Sequence, residues 1–347
     1  MNLLRLLAPF VLLCSVAFAD TAPGYRTLGR YTEASDGAMS FAWPASGVEG
    51  RFVGARLVAN IEDNGSSLMD LDVDGVMTQM PLQAGAHDYT LFQAPTPGEH
   101  YVRLTRRSEI GSGLTTIHKL TLDGEWRALP PHAHRILFIG DSITVGYGAA
   151  GADQTCHYSA EASPPWESYA ERTAQAFDAD FQIVAISGRG VVRNYSGFNA
   201  PHMPDLIEAA LPDHAESHWD AAKFSPELIV INLGANDFST ADPGPAFEPA
   251  YLAMLQHLRT LYPQARIISA FGPEHRTQDA LPRIGAVVDQ FNRSQTQPVT
   301  FLYLPQAQAG HIYGCDWHPG VDTHRVMARA LSDEIARETG WSHAPLD

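Results

Sequence analysis

The stretch His134-Arg135-Ile136-Leu137-Phe138-Ile139-Gly140-Asp141-Ser142-Ile143-Thr144 decides how this 347-residue chain is read. Its apolar run, Ile136 to Ile139, predicts a strand buried on both faces, as parallel sheets have. The chain then turns through Gly-Asp-Ser-Ile-Thr into a glycine-rich loop, Gly146-Tyr147-Gly148. A serine at the carboxyl end of such a strand lies at the crevice where open α/β sheets place their ligands. Serine alone is a poor nucleophile, so a base and donors for a developing oxyanion are needed as well.

Residues of those types follow in order. Ser187-Gly188-Arg189-Gly190 comes after the apolar run Phe181 to Ile186. Gly234-Ala235-Asn236-Asp237 follows the largely apolar run Leu228 to Leu233, and Asp316-Trp317-His318-Pro319 lies near the end. Gly188 lacks a Cβ, so backbone there can approach a substrate closely. Pro319 favours an extended backbone at His318, ahead of the next helix. Each residue also has a simpler reading. Ser142 could be a helix N-cap, Asn236 could form an Asx-turn, and His318 could be one surface histidine among 15. Their joint appearance in this order favours the catalytic reading over three coincidences.

Outward from these blocks, strands and helices alternate. Ser163-Pro164-Pro165 predicts a helix towards Phe177, with Ser163 as its cap. Further strands are expected at Phe181–Ile186, Leu228–Leu233, Ile267–Phe271 and Val299–Leu304. Helices are expected near Ala246–Tyr262, Gln278–Arg293 and Val321–Thr339. That alternation predicts a doubly wound parallel sheet over 134–347. Before it, residues 20–128 read differently. About eight short alternating stretches, with Asp74-Gly75 and Asp123-Gly124 as turns, predict an antiparallel β-sandwich of jelly-roll type. Asp70 to Gly75 imitates the start of a calcium loop, but its twelfth position is Pro81, where a bidentate Glu is needed. Leu129 to His134, with Pro130-Pro131, is a short stiff linker.

Residues 1–19 carry one Arg, an apolar stretch and Ala17-Phe18-Ala19, the pattern of a secretory signal cleaved after Ala19. This predicts a secreted or periplasmic protein. Losing that segment removes one Arg and no acid, so the formal charge goes from −16 to −17. Such acidity disfavours nucleic-acid and anionic-membrane partners, and it also serves solubility. The remaining cysteines, Cys156 and Cys315, lie beside the nucleophile loop and the base. In an oxidising compartment they could form a disulfide, with two free buried thiols as the alternative. No metal-spaced His/Cys cluster is seen, so no metal is expected.

The four blocks resemble the SGNH (GDSL-type) hydrolases. The likeness implies Ser142 as nucleophile, His318 as base, and an oxyanion hole from the Ser142 and Gly188 N–H groups and the Asn236 amide. The two-part order resembles the family 2 carbohydrate esterases. Gly-Asp-Ser-Ile-Thr-Val-Gly-Tyr-Gly, Arg193-Asn194-Tyr195, Asn236-Asp237-Phe238-Ser239, Cys315 to Pro319 and the stretch Glu99 to Glu109 carry that likeness. It implies removal of acetyl groups from acetylated polysaccharide such as xylan or glucomannan, with no cofactor. A lipid esterase or thioesterase, or a carbohydrate-binding protein with a vestigial hydrolase, are the alternatives. Most SGNH hydrolases place an Asp three residues before the His, whereas here Cys315 holds that place and Asp316 lies two before. Asp316 is therefore a candidate to orient His318, with a backbone carbonyl as the competing partner. Trp317, Tyr195 and Phe238 are candidate sugar platforms, unless they are core residues.

Overall fold

The computed structural model describes residues 24–214, 216–273, 277–294 and 296–346, without the side chains of Ile110 and Thr277. The predicted signal segment lies outside them. Among the described residues the N-terminal part has eight strands: β1 (Tyr25–Leu28), β2 (Thr32–Glu33), β3 (Met39–Phe41), β4 (Gly47–Asn64), β5 (Leu68–Val73), β6 (Val76–Pro81), β7 (Ala84–Arg106) and β8 (Thr115–Arg127). All their pairings are antiparallel, in the order β2-β3-β8-β4-β7-β5-β6, with β1 beside β4. Three strands are much longer than the short segments expected. Register shifts at Gly54/Arg56 and Leu57/Val58 bend β4, so both its halves supply one apolar core. Val48 and Phe52 come from one half and Leu57, Ala59 and Ile61 from the other, packed with Phe41, Met69 and Leu104.

Asp74-Gly75 does turn a hairpin, with φ of 54° and 84°. Asp123-Gly124 does not. It lies inside β8, with Gly124 opposite Gly54 and Asp123 opposite Arg56, where a Cβ on Gly124 would come within 2.0 Å of the Val53 carbonyl oxygen. The glycine serves a close approach of two strands at the bend rather than a chain reversal.

The second part is a five-stranded parallel sheet. Its strands are β9 (His134–Gly140), β10 (Ala179–Ala185), β11 (Leu228–Asn232), β12 (Arg266–Phe271) and β13 (Val299–Tyr303), in the order β10-β9-β11-β12-β13. Among the described residues seven α-helices accompany it: α1 (Ser142–Val145), α2 (Tyr169–Ala176), α3 (Met203–Leu206), α4 (Ala235–Phe238), α5 (Phe247–Leu261), α6 (Thr277–Asn292) and α7 (Val321–Thr339). Alternate residues of β9 serve opposite faces. Leu137 and Ile139 join the core under α5 and α6, while Ile136 and Phe138 join the one under α2 and α7. That explains an apolar run without period-2 alternation. Among the described residues no helix is long and apolar enough to cross a membrane.

The cap expected at Ser163 is displaced. The Ser163 hydroxyl instead accepts the Gly148 N–H at 2.8 Å, and α2 starts later, with Ser168 accepting from the Glu171 N–H. The two parts are held by buried polar contacts. Arg30 donates to Gln182 and to the carbonyls of Ile207 and Ala209, and the Trp43 indole N–H donates to the Ala210 carbonyl at 3.0 Å.

Candidate active site

The sheet order brings three of the four blocks together. β10 and β11 flank β9, with Ala185 and Asn232 both in register with Gly140. The loops after these three strands therefore emerge side by side, where the strand order reverses and α/β sheets bind ligands.

Asp141 caps α1: its carboxylate accepts the Ile143 N–H at 3.1 Å. With the cap supplied by Asp141, the Ser142 hydroxyl is free for a tertiary partner. It lies 2.8 Å from His318 Nε2. His318 Nδ1 faces the Cys315 carbonyl oxygen at 3.2 Å, which can only accept, so that nitrogen carries the proton and Nε2 accepts from Ser142. Burial pushes the His318 pKa below its ordinary value, against the pull of the Cys315 carbonyl and the Asp316 charge. The ring thus stays neutral, as a proton acceptor must. Such a pair can activate a hydroxyl for attack on an ester.

Asp316 does not orient this histidine. Its two carboxylate oxygens are taken by the Tyr147 hydroxyl at 2.7 Å and by His157 Nδ1 at 2.8 Å. The physical reason is backbone shape. Asp316 and Trp317 adopt left-handed φ of 50° and 65°, so the segment is a closed turn rather than an extended loop, and the Cys315 carbonyl comes back under the ring. Asp316 acts one step removed, holding Tyr147, whose ring stacks on His318 at 4.1 Å between centroids.

The base loop is anchored to the nucleophile loop. The Cys315 N–H donates to the Gly148 carbonyl and the Asp316 N–H to the Cys156 carbonyl, and a disulfide joins Cys156 to Cys315. A Cβ at Gly148 would lie 2.6 Å from that of Cys315, so the approach requires glycine.

Gly188 has φ of 79°, a conformation glycine adopts readily, and its carbonyl accepts the Tyr195 N–H. The Asn236 side chain makes tertiary bonds rather than a local Asx-turn. Its amide nitrogen donates to the Arg189 carbonyl at 2.8 Å and to Asp141 Oδ2 at 3.1 Å. Both neighbours are acceptors, which fixes the nitrogen on that side. Asn236 therefore ties the loops after β9, β10 and β11 to one another.

Of the candidate platforms, Trp317 and Tyr195 are 53% and 56% exposed, beside the base and the Gly188 loop respectively. Phe238 is not a platform. It is fully buried, edge-on to Phe247 in the core, with the Arg283 guanidinium over its ring.

Four contributors escaped sequence reasoning. Tyr147 carries no signal beyond its place between two glycines. Asp237 accepts the backbone N–H groups of Val191, Val192 and Arg193, shaping the Gly188 loop from below. Burial pushes its carboxyl up, against the pull of those three donors. Phe198 is a further exposed ring, packed against Gly188 and the Arg189 guanidinium. Glu109, from the loop after β7, accepts the Ser187 N–H at 3.0 Å and its hydroxyl at 2.7 Å.

Known proteins resemble this chain in sequence and fold. A family model described as GDSL-like Lipase/Acylhydrolase matches residues 138–326, and one described as Carbohydrate esterase 2 N-terminal matches residues 27–131. The chain is 33% identical to the Cellulase/esterase CelE of Acetivibrio thermocellus over 92% of its own length, but spans only 40% of that relative. It is 30% identical to an Acetylxylan esterase / glucomannan deacetylase of Cellvibrio japonicus, over 93% of this chain and 91% of the relative. Among solved structures, a family two carbohydrate esterase from Clostridium thermocellum in complex with cellohexaose matches at TM-score 0.86 and 32% identity. That match covers 92% of this chain and all of the other. A family two carbohydrate esterase from Cellvibrio japonicus matches at 0.82 and 28%, covering 92% and 97%. With an N-terminal antiparallel sheet and a parallel-sheet half both matched, the chain belongs to the GDSL-like lipase/acylhydrolases and, within them, to the family 2 carbohydrate esterases.

Proposed function

We propose that the protein is a secreted serine esterase that removes O-acetyl groups from plant hemicellulose such as xylan or glucomannan. The observation that carries this reading is the 2.8 Å contact between Ser142 Oγ and His318 Nε2. The Cellvibrio relative, an acetylxylan esterase and glucomannan deacetylase, supports the substrate class. Residues 1–19 act as the cleaved signal, 20–128 as the β-sandwich domain and 134–347 as the hydrolase domain.

In this mechanism Ser142 Oγ attacks the acetyl carbonyl carbon while His318 Nε2 takes the hydroxyl proton. The N–H groups of Ser142 and Gly188 and the Asn236 amide receive the negative oxygen. For Asn236 this means exchanging its 3.1 Å bond to Asp141 for one to the oxyanion, while the bond to Arg189 holds the amide in place. His318 then gives its proton to the leaving sugar oxygen, the tetrahedral centre collapses, and the acetyl group stays on Ser142. Water, deprotonated by His318, repeats the sequence and releases acetate. Stacking between Tyr147 and His318 favours the imidazolium that forms midway, since an aromatic face attracts a cation. Exposed Trp317 and Tyr195 offer faces for pyranose rings.

Acetate release from acetylated xylan and glucomannan tests the reading. Ser142→Ala is expected to lose about 10⁴- to 10⁶-fold in kcat. Release at the wild-type rate by that variant refutes the serine mechanism, and preference for octanoyl over acetyl chromogenic esters refutes the substrate class.

A further inference from the structure

The loop after β7 reaches from the N-terminal sheet into the hydrolase half at two places. Arg106, fully buried, shapes it from within: its guanidinium donates to the carbonyls of Ser108, Glu109 and Gly113 and to the hydroxyls of Ser67 and Thr115. Arg107 is paired with buried Asp70 at 2.8 Å, and its other nitrogens donate to the carbonyls of Ala160 and Glu161. Those carbonyls belong to the segment between Cys156 and the Ser163 hydroxyl that holds Gly148. Ser108 accepts the Leu68 N–H and so fixes the loop to β5. Glu109 then spends both carboxylate oxygens on one residue, Ser187.

Ser187 directly precedes Gly188, whose left-handed backbone aims its N–H. Turning one peptide plane between them redirects that donor. Two bonds from one carboxylate fix both the Ser187 backbone and its side chain, which a single bond would leave free to pivot. On the other side of the loop, Asp237 grips Val191 to Arg193. The Gly188 segment is therefore suspended between a carboxylate of each half of the molecule. Burial pushes the Glu109 carboxyl above its ordinary range while the two Ser187 donors pull it back. The same donors would stabilise the ionised form that accepts both.

We infer that Glu109 is a positioning residue for the esterase reaction: through Ser187 it sets the Gly188 N–H for the oxyanion, making the hydrolase centre depend on the N-terminal sheet. This rests on the serine-esterase reading above. It gives the sheet a task in catalysis whether or not it binds glycan. A misaimed donor weakens transition-state stabilisation and leaves ground-state sugar contacts alone.

The test uses the full chain with Glu109→Ala, Ser187→Ala and the double variant, assayed for acetate release. Glu109→Ala is expected to lower kcat by about 10- to 100-fold, somewhat less than outright removal of an oxyanion donor, with KM nearly unchanged. The inhibition constant of methylboronic acid, which forms a tetrahedral adduct on a serine hydroxyl, should rise in step with the kcat loss. Ser187→Ala, which keeps the backbone bond, should lose less. The double variant should be no worse than Glu109→Ala, since both remove one tether. A merely structural role would lower the Tm without moving the kcat/KM split or boronate affinity. Additive losses, a change confined to KM, or unchanged kcat in Glu109→Ala overturns the inference. If Glu109→Ala does not fold, wild-type kcat in Ser187→Ala overturns it instead. Ser142→Ala separates the two levels: if it keeps activity, the esterase reading has failed. If it is inactive while Glu109→Ala is unimpaired, only the tether has.

Discussion

Asn236→Asp is the sharpest perturbation of the site, because it keeps size and shape while reversing the chemistry. In the wild type the amide nitrogen faces two acceptors, the Arg189 carbonyl at 2.8 Å and Asp141 Oδ2 at 3.1 Å. A carboxylate oxygen in its place would stand against both. Two unit charges 3.1 Å apart repel by about 5 kcal/mol at an effective dielectric constant of about 20. The lost bond to Arg189 adds about 1–3 kcal/mol for a buried group left without its partner. The pair can relieve itself by holding one proton, which raises a carboxyl pKa in the folded state above its unfolded value. The penalty is then complete above that raised pKa and fades as the pH falls towards the unfolded value. Urea unfolding should show Asn236→Asp destabilised by about 5–8 kcal/mol at pH 8 and by clearly less at pH 5. Its kcat at pH 8 should fall by at least about 10²–10³, as for Asn236→Ala, because neither offers a donor to the oxyanion. A variant with wild-type stability at pH 8 and near-normal kcat would refute both the tertiary role and the catalytic one. It would return Asn236 to a local Asx-turn, where Asp substitutes comfortably.

Replacing Cys156 and Cys315 by Ser opens a covalent loop with a sequence separation of 159. Chain entropy alone predicts a loss of about 5 kcal/mol, with about 2–4 kcal/mol more usual, read as a lower Tm. The kcat should fall too, since the carbonyl holding His318 belongs to Cys315 itself, and unchanged kcat would show the loop set without the bridge. His324, fully buried on α7, accepts the Tyr169 N–H at Nδ1, and burial with Arg172 and His318 nearby pushes its pKa down to about 3. Because the folded value lies below the unfolded one, the neutral ring's contribution is complete above about pH 6.5. It is lost as the pH falls from there towards 3, by up to about 1.4 kcal/mol per pH unit. His324→Gln, which can still accept that N–H, should unfold less steeply with acid across that window, and an identical pH slope would refute the assignment.

What was legible in the sequence is what lies at the end of an apolar run. Ser142, Gly188 and Asn236 each follow a strand of the parallel sheet by a few residues, and strand neighbours fix the rest. A group whose position is decided by its own element can be read from its own stretch of chain. The groups that support those three cannot. Glu109 stands 78 residues from Ser187, and Asp237 some 45 from the N–H groups it gathers. Asp316 shows the other limit. Its distance from His318 along the chain is two residues, yet two left-handed residues turn its carboxylate to Tyr147 and put a carbonyl under the imidazole instead. In Ser163 and Gly124 the local signal was present and answered a different demand: the serine holds the Gly148 N–H, and the glycine lets two strands close at a bend. A hydroxyl, a carboxylate or a missing Cβ states what a residue can bind or admit. Which partner it meets is decided by the sheet order that brings distant loops to one edge.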